Sequence, residues 1–336
     1  MSKVELPFIE PMYSTYLWMA SAGVPAKQNP TSDNWYYNHT VQWKCSKKFL
    51  GNFTGLEFFF PACKIWNMPF LDISGASMRF ARHCPITVIK TMLDDGFYVA
   101  FYGVDDFYIK GKSWYQERHF NHDGLIIGYD DEDDTFTVAA YNQRWIYTTF
   151  KTPQKCFTKG IESMCNQEVY GGLHAIRVKG DALKLEIDTI SSQLKNYLSS
   201  IDNYSLGDSD NAEGIVVYDY ICMYLDKLMD GSIPYDRHDW RIFRLIWEHK
   251  RCMGQRIIAV ERECNWNNDL SSSYVKVVKL ADKAKLIYAK FGIKFSARSI
   301  EQLQCLLMQM RDLELELLGE FSQLLEKELE KQKNIL

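Results

Sequence analysis

The hydrophobic period of this chain changes once, near Asp181, and that change limits its fold more than any other feature. Before it, apolar residues come in short aromatic and β-branched runs. "FYVAFYGV" (Phe97 to Val104) is followed by "DDFYI", "LIIGY", "FTVAAY", "WIYTTF" and "LHAIRV", with Gly, Asp and Asn between them. Such runs read as strands. After Asp181, apolar residues recur three and four apart in "LKLEIDTISSQLKNYLSS", "AEGIVVYDYICMYLDKLMDG", "DRHDWRIFRLIWEHKRCMGQRIIAVERE", "SSSYVKVVKLADKAKLIYAKF" and "SIEQLQCLLMQMRDLELELLGEFSQLLEKELEKQ". That spacing predicts about five helices, with Asp236 as the N-cap of the third and Gly231 ending the second. The expected architecture is α+β: an antiparallel sheet domain over residues 1–180, then a helical bundle domain over 181–336.

Within the first half one helix is clear, "PITVIKTMLDDG", with Pro85 suited to its first turn and Gly96 to its exit. Residues 1–78 are rich in Trp, Phe, Tyr and Pro and carry no assignable pattern. "SIDNYSLGDSDNAEG" (Ser200 to Gly214) reads as the loop of the helical half. In that half Trp240, Phe243, Ile246 and Trp247 share one helix face and read as core. Arg237, Arg241, Arg244, Lys250, Arg251 and Arg256 lie in the same segment. They form either a solvated face or a face for an acidic carrier protein.

Composition excludes several classes. The net charge is −4 with both signs mixed, whereas nucleic-acid binding favours a basic face. No apolar run approaches the roughly 20 residues of a membrane span, and the N-terminus lacks the apolar core of a signal peptide, so a cytosolic protein is expected. Nine cysteines without a CxxC suit neither a disulfide framework nor a structural zinc site. There is no GxxxxGK[ST] and no Rossmann fingerprint, hence no nucleotide or flavin cofactor is expected. No metal is expected either. His119 and His122 have no accompanying ligand pattern, and "DDEDD" lacks the spacing of a calcium loop.

"RHFNHDGLIIGYDDEDDTFTVAAYN" (Arg118 to Asn142) reads as an antiparallel hairpin with an acidic, exposed turn. If the turn centres between Glu132 and Asp133, facing positions sum to about 265. Gly128 then faces Thr137, and His122 lies beside Asn142 and Gln143 at the far end. A slip of one residue puts Asn142 directly opposite His122. A histidine with a side-chain amide beside it is the arrangement that nucleophilic catalysis uses to orient a base.

A helix ending in "LDDG", an aromatic strand, then His-x-x-x-Ile-x-Gly-Tyr-Asp and a second strand ending in a polar residue resembles the C-terminal half of a papain-like cysteine peptidase. The resemblance is to the double-glycine leader peptidases and to the N-terminal domain of the butirosin biosynthesis protein H family. "MYLDKLMDGSIPYDRHDWRIFRLIWEHK" is similar to a segment of proteins from nonribosomal peptide clusters. The resemblance implies that His122 is the general base. Its orienter would be Asn142, or alternatively Asp123 beside it.

The resemblance further implies a nucleophilic cysteine upstream, at a helix N-terminus that lowers its pKa, with a glutamine donating to the oxyanion. Cys45 has Gln42 three residues before it, but a poor helix after it. Cys84 opens the good helix at Pro85. Cys63, in "FFFPACKIW", reads as buried. The expected function is a carrier-protein-dependent acyltransferase. It would take an acyl or peptidyl group from a thioester on an acyl carrier protein and pass it to an amine, forming an amide. A non-catalytic accessory protein of such an assembly line, and a cysteine peptidase or amidase, are the alternatives.

Overall fold

The computed structural model describes residues 2–49, 53–58, 68–166, 171–180, 182–200, 210–290 and 296–335. In chain order they form β1 (Lys3–Glu5), α1 (Leu17–Ala26), α2 (Ser32–His39), β2 (Trp43–Ser46), β3 (Glu57–Phe58), β4 (Leu71–Ser77), α3 (Met78–Ala81), α4 (Pro85–Asp94) and β5 (Tyr98–Asp105). There follow β6 (Asn121–Asp130), β7 (Thr135–Tyr141), β8 (Tyr147–Pro153), α5 (Gln154–Asn166), β9 (Gly172–Val178), α6 (Ile187–Ser199) and β10 (Asn211–Glu213). The chain ends in α7 (Val217–Met229), α8 (Ile242–Glu263), α9 (Leu270–Ala289) and α10 (Ala297–Ile335). The fold is α+β, as the change of period requires. Among the described residues no helix is long and apolar enough to cross a membrane.

Two compact units divide the chain: Met1–Ser32 with Lys64–Ala182, and Asp33–Cys63 with Leu183–Leu336. The break expected at 180/181 falls within two residues of the observed one. The assignment of everything before it to the sheet domain is corrected, because residues 33–63 belong to the helical unit. β2 pairs with β10, Trp43 donates to the Gly214 carbonyl and Thr54 to Asp239, and Arg256 ties the end of α2. Its wholly buried guanidinium donates to the carbonyls of Tyr36 and Tyr37 at 3.2 and 2.6 Å and to the Thr40 hydroxyl at 3.2 Å. A cation at the end of α2 meets carbonyls of its last turn; that of Tyr36 also accepts from the N–H and hydroxyl of Thr40. Asn38 adds bonds to both sides of the Lys184–Glu186 segment.

In the first unit the sheet runs β4-β9-β5-β6-β7-β8, and β1 pairs with the end of β6; every pairing is antiparallel. One face carries Val99, Phe101, Val104, Ile126, Phe136, Val138 and Leu173 against Ile89 and Leu93 of α4 and Phe157, Ile161 and Met164 of α5. The alternate residues Tyr98 and Tyr141 are also buried, with their hydroxyls on the carbonyls of Pro7 and Ser14. α1 is buried nearly all round, as an apolar helix without a polar stripe must be. α4 has Pro85 in its first turn, and Gly96 follows it at φ 80°. "DDFYI" is a correction: Asp106–Tyr108 form a 3₁₀ turn, not a strand.

The second unit is helical, with α6 to α10 where the periodicity puts them, and it also carries a small antiparallel sheet, β10-β2-β3. Asp236 is not the N-cap of α8. It sits in a separate 3₁₀ turn, and Asp239 accepts from the N–H of Arg241 at the helix start. Phe243 and Ile246 are core, whereas Trp240 precedes the helix and is exposed. The basic residues do not make one face: Lys250 and Arg256 are fully buried. Cys63 and most of the Ser200 to Gly214 loop lie outside the described residues.

Candidate active site

The hairpin register fixes what can stand beside His122. Gly128 faces Thr137, and a bulge then shifts the pairing so that Ile126 faces Val138 and Leu125 faces Ala139. That is the one-residue slip, which would carry on to His122 opposite Asn142. The ladder stops at Leu125, however, and Asn142 instead makes a bridge with Lys112. On the other side β6 pairs with β5: Phe101 faces Gly124, a bulge intervenes, and Val104 faces His122. Gly124 has no Cβ because the Phe101 ring occupies that space; a Cβ would stand 2.4 Å from its Cζ. In the bulge Gly103 takes φ 77°, open to glycine at little cost, and its N–H donates to Asp123 Oδ1 at 3.2 Å.

Immediately after β5 the chain turns. Asp105 Oδ1 accepts from the N–H of Phe107, closing the 3₁₀ turn, and Asp106 swings towards β6. The Asp106 carboxylate is wholly buried. Its Oδ1 is 3.1 Å from Lys112 Nζ, also wholly buried, and its Oδ2 is 3.2 Å from His122 Nδ1. Lys112 Nζ also donates to the carbonyl of Asp123 at 2.6 Å and stands 3.5 Å from His122 Nδ1. A carboxylate can only accept, and its contact with Nδ1 is shorter than that of the ammonium, whose protons go to Asp106 and the Asp123 carbonyl. Nδ1 therefore carries the proton and donates it to Asp106, leaving Nε2 as the basic nitrogen. The His122 side chain is 26% exposed, so the ring is open to solvent. A buried carboxylate that fixes tautomer and ring orientation is the arrangement a general base needs.

A second pair lies alongside. Asp105 Oδ2 receives His119 Nδ1 at 2.7 Å and the Ser163 hydroxyl at 2.6 Å; its Oδ1 also accepts from the N–H of Phe120. Burial pushes this carboxyl up. The bonds from Ser163 and His119 and from the N–H groups of Phe107 and Phe120 outweigh it and hold the group below its ordinary value. The His119 ring stacks on Phe107 with centroids 4.3 Å apart.

Neither expected orienter holds His122. Asn142 does not orient it: its Oδ1 accepts from the N–H groups of Arg144 and Ile146 at 2.8 and 3.1 Å and so builds the β7–β8 turn. Asp123 offers its carboxylate to Gly103, and burial pushes that carboxyl up. Cys45 is in strand β2 of the helical unit, not at a helix N-terminus, and burial pushes its thiol up to about 12. Gln42, in the same unit, is buried with no hydrogen-bond partner for its amide among the described residues. Cys84 is exposed at the N-cap of α4, as its position before Pro85 suggested. Of the described cysteines in the sheet unit, Cys84, Cys156 and Cys165, none is a hydrogen-bond partner of His122.

The residues the sequence reading missed are Asp105, Asp106, Lys112 and Ser163. A signal for the first two was present. Paired acids end the strand that must neighbour β6, and an acid at such an end caps the following turn. No protein-family model matches the sequence, and no curated protein matches it.

Proposed function

We propose that the protein is an acyltransferase that forms an amide from a carrier-bound thioester, with His122 as general base and no covalent cysteine intermediate. The observation that carries this reading is the buried Asp106 holding Nδ1 of a part-exposed His122, with Nε2 free to act. The resemblance of the His122 strand and its hairpin to papain-like proteins of thiotemplated biosynthesis supplies the substrate class. The departure from that pattern is the nucleophile. A thiol pushed up to about 12 is not ionised near neutrality, and the exposed Cys84 is not bonded to the imidazole.

The step needs no thiolate. The amine nitrogen attacks the thioester carbonyl while Nε2 takes its N–H proton. The tetrahedral intermediate collapses with cleavage of the C–S bond, and the departing sulfur takes the proton from Nε2. General-base catalysis of this kind is worth about 10²–10⁴-fold.

The test uses an acyl-N-acetylcysteamine thioester with a panel of primary amines, following released thiol and amide product. Amine-dependent release is expected. His122→Gln should lower it by about 10²–10⁴-fold, while Cys84→Ser and Cys45→Ala leave it unchanged. Loss in Cys84→Ser would restore the cysteine mechanism. Release without an amine would mark a hydrolase. No release that depends on His122 would leave the accessory-protein reading.

A further inference from the structure

Next to His122 the surface changes from polar to aromatic. The Phe120 ring lies edge-on to the imidazole, with centroids 5.0 Å apart, and Trp114 follows at 6.4 Å from Phe120. Trp145, from the β7–β8 turn, meets Trp114 at 5.6 Å and 81°. Phe120 and Trp145 are 38% and 42% exposed, and Ile146 beside them 54%. Large apolar groups contiguous on a surface mark an interaction site more often than singly scattered ones do.

Two features make this a built platform. Trp145 has φ 57°, a left-handed conformation that a bulky side chain rarely adopts. The turn imposes it: Asn142 accepts from Arg144 and Ile146, the N–H of Trp145 donates to the Asn142 carbonyl at 2.9 Å, and Asn142 bridges to Lys112. Strain held by surrounding bonds clusters at sites that use it. The second feature is Arg118. Its guanidinium lies over both Trp114 and Phe120, at 5.6 and 5.8 Å from the ring centroids. Among the described residues it has no carboxylate partner. A planar cation laid on aromatic rings, unpaired and beside a base, is prepared to take a carboxylate while a flat ring stacks next to it.

We infer that Phe120, Trp114, Trp145 and Arg118 form the acceptor subsite, and that it takes an aromatic amine bearing a carboxylate. The ring lies on the aromatic platform, the carboxylate meets Arg118, and the amino group is directed to His122 Nε2. The inference rests on the acyl-transfer reading for the role of the amine, but not for binding itself.

Binding is therefore measured without thioester, by calorimetric titration of the full chain with 4-aminobenzoate. Aniline and cyclohexanecarboxylate serve as probes lacking the anion and the ring. 4-Aminobenzoate should bind at least about tenfold more tightly than either, and Arg118→Gln and Trp145→Gly should each weaken it about tenfold or more. Trp145→Gly suits the left-handed turn and is expected to fold. No saturable binding, equal binding of aniline, or no change in Arg118→Gln overturns the subsite. Binding as expected with no amide formation would retain the subsite and reject the transferase. Transfer to alkylamines with Arg118→Gln unaffected would do the reverse.

Discussion

Lys250 Nζ and Glu314 Oε2 meet at 2.8 Å in the helical unit, and neither side chain has any exposure to solvent. The hydroxyls of Tyr197, Tyr218 and Tyr274 all donate to the same carboxylate, and the ammonium lies 3.9 Å over the Trp43 ring. α8 and α10 are thereby tied through one fully satisfied polar centre. Removing one charge strands the other in a low-dielectric core. Glu314→Ala should cost about 3–5 kcal/mol in urea unfolding. Lys250→Met with Glu314→Gln removes both charges and keeps an acceptor for the tyrosines, so it should recover more than half of that loss. A double variant as unstable as the single one would show that the charges themselves hold the helices.

Stability should fall as pH drops below neutrality. His249 is wholly buried beside Lys250, stacked on Trp43, and its Nε2 donates to the Val41 carbonyl. Burial first, then the charges of Lys250 and Arg256, hold its pKa well below the ordinary value. Below about pH 6.5 the unfolded chain takes up a proton that the folded chain refuses, so acid favours unfolding. Denaturation midpoints at pH 7.5 and 5.5 should differ, with the lower value in acid. His249→Phe keeps the stack and removes the titration, and should reduce the difference. An unchanged difference would assign it to other groups, such as His39 and His174, whose pKa values burial also lowers.

Asp106 and Asn142 have separable roles. Asp106→Asn should shift the His122 imidazole resonances at fixed pH, because the carboxylate contacts Nδ1. Asn142→Ala should leave those resonances in place and cost about 1–2 kcal/mol through the loss of two turn hydrogen bonds. The reverse pattern in NMR spectra of the two variants would make Asn142 the orienter after all.

Gly124→Ala tests the close approach beside the site. Its Cβ would meet the Phe101 ring at 2.4 Å, and Phe101 is wholly buried. Overpacking of this kind costs about 1–3 kcal/mol. Phe101→Leu in the same chain should return part of it, and no recovery in thermal unfolding would place the strain in the backbone.

Limiting alkylation should label Cys84 and Cys305 first, since both are exposed, and Cys45 and Cys252 last, since both are buried. His122→Ala should not change the order. Fast labelling of Cys45, lost in that variant, would return it to the role of nucleophile.

The sequence by itself determined the pieces whose cause is local. The period of two places β5 to β9, the three-and-four spacing places α6 to α10, and Pro85 and Gly96 bound α4; a turn centred between Glu132 and Asp133, one of two registers open to the sequence, puts Gly128 opposite Thr137 as found. These depend on residues a few positions apart and on which face meets the core. His122 could be singled out on the same grounds, as a histidine at the mouth of an apolar strand.

Tertiary structure decided what that histidine meets. The bulge aims the ladder at Asn142 opposite His122, but an early end to the pairing and the Lys112 segment gave Asn142 to its own turn and Asp106 to His122. It also drew residues 33–63 into the helical unit, through the pairing of β2 with β10 and through Arg256, over 200 positions from α2. Lys250, which the sequence places on a solvated or carrier-facing basic face, instead meets Glu314, 64 positions away. Whether a charge is buried and paired depends on how whole elements pack, because only packing removes the water that would otherwise solvate it. No local period encodes that.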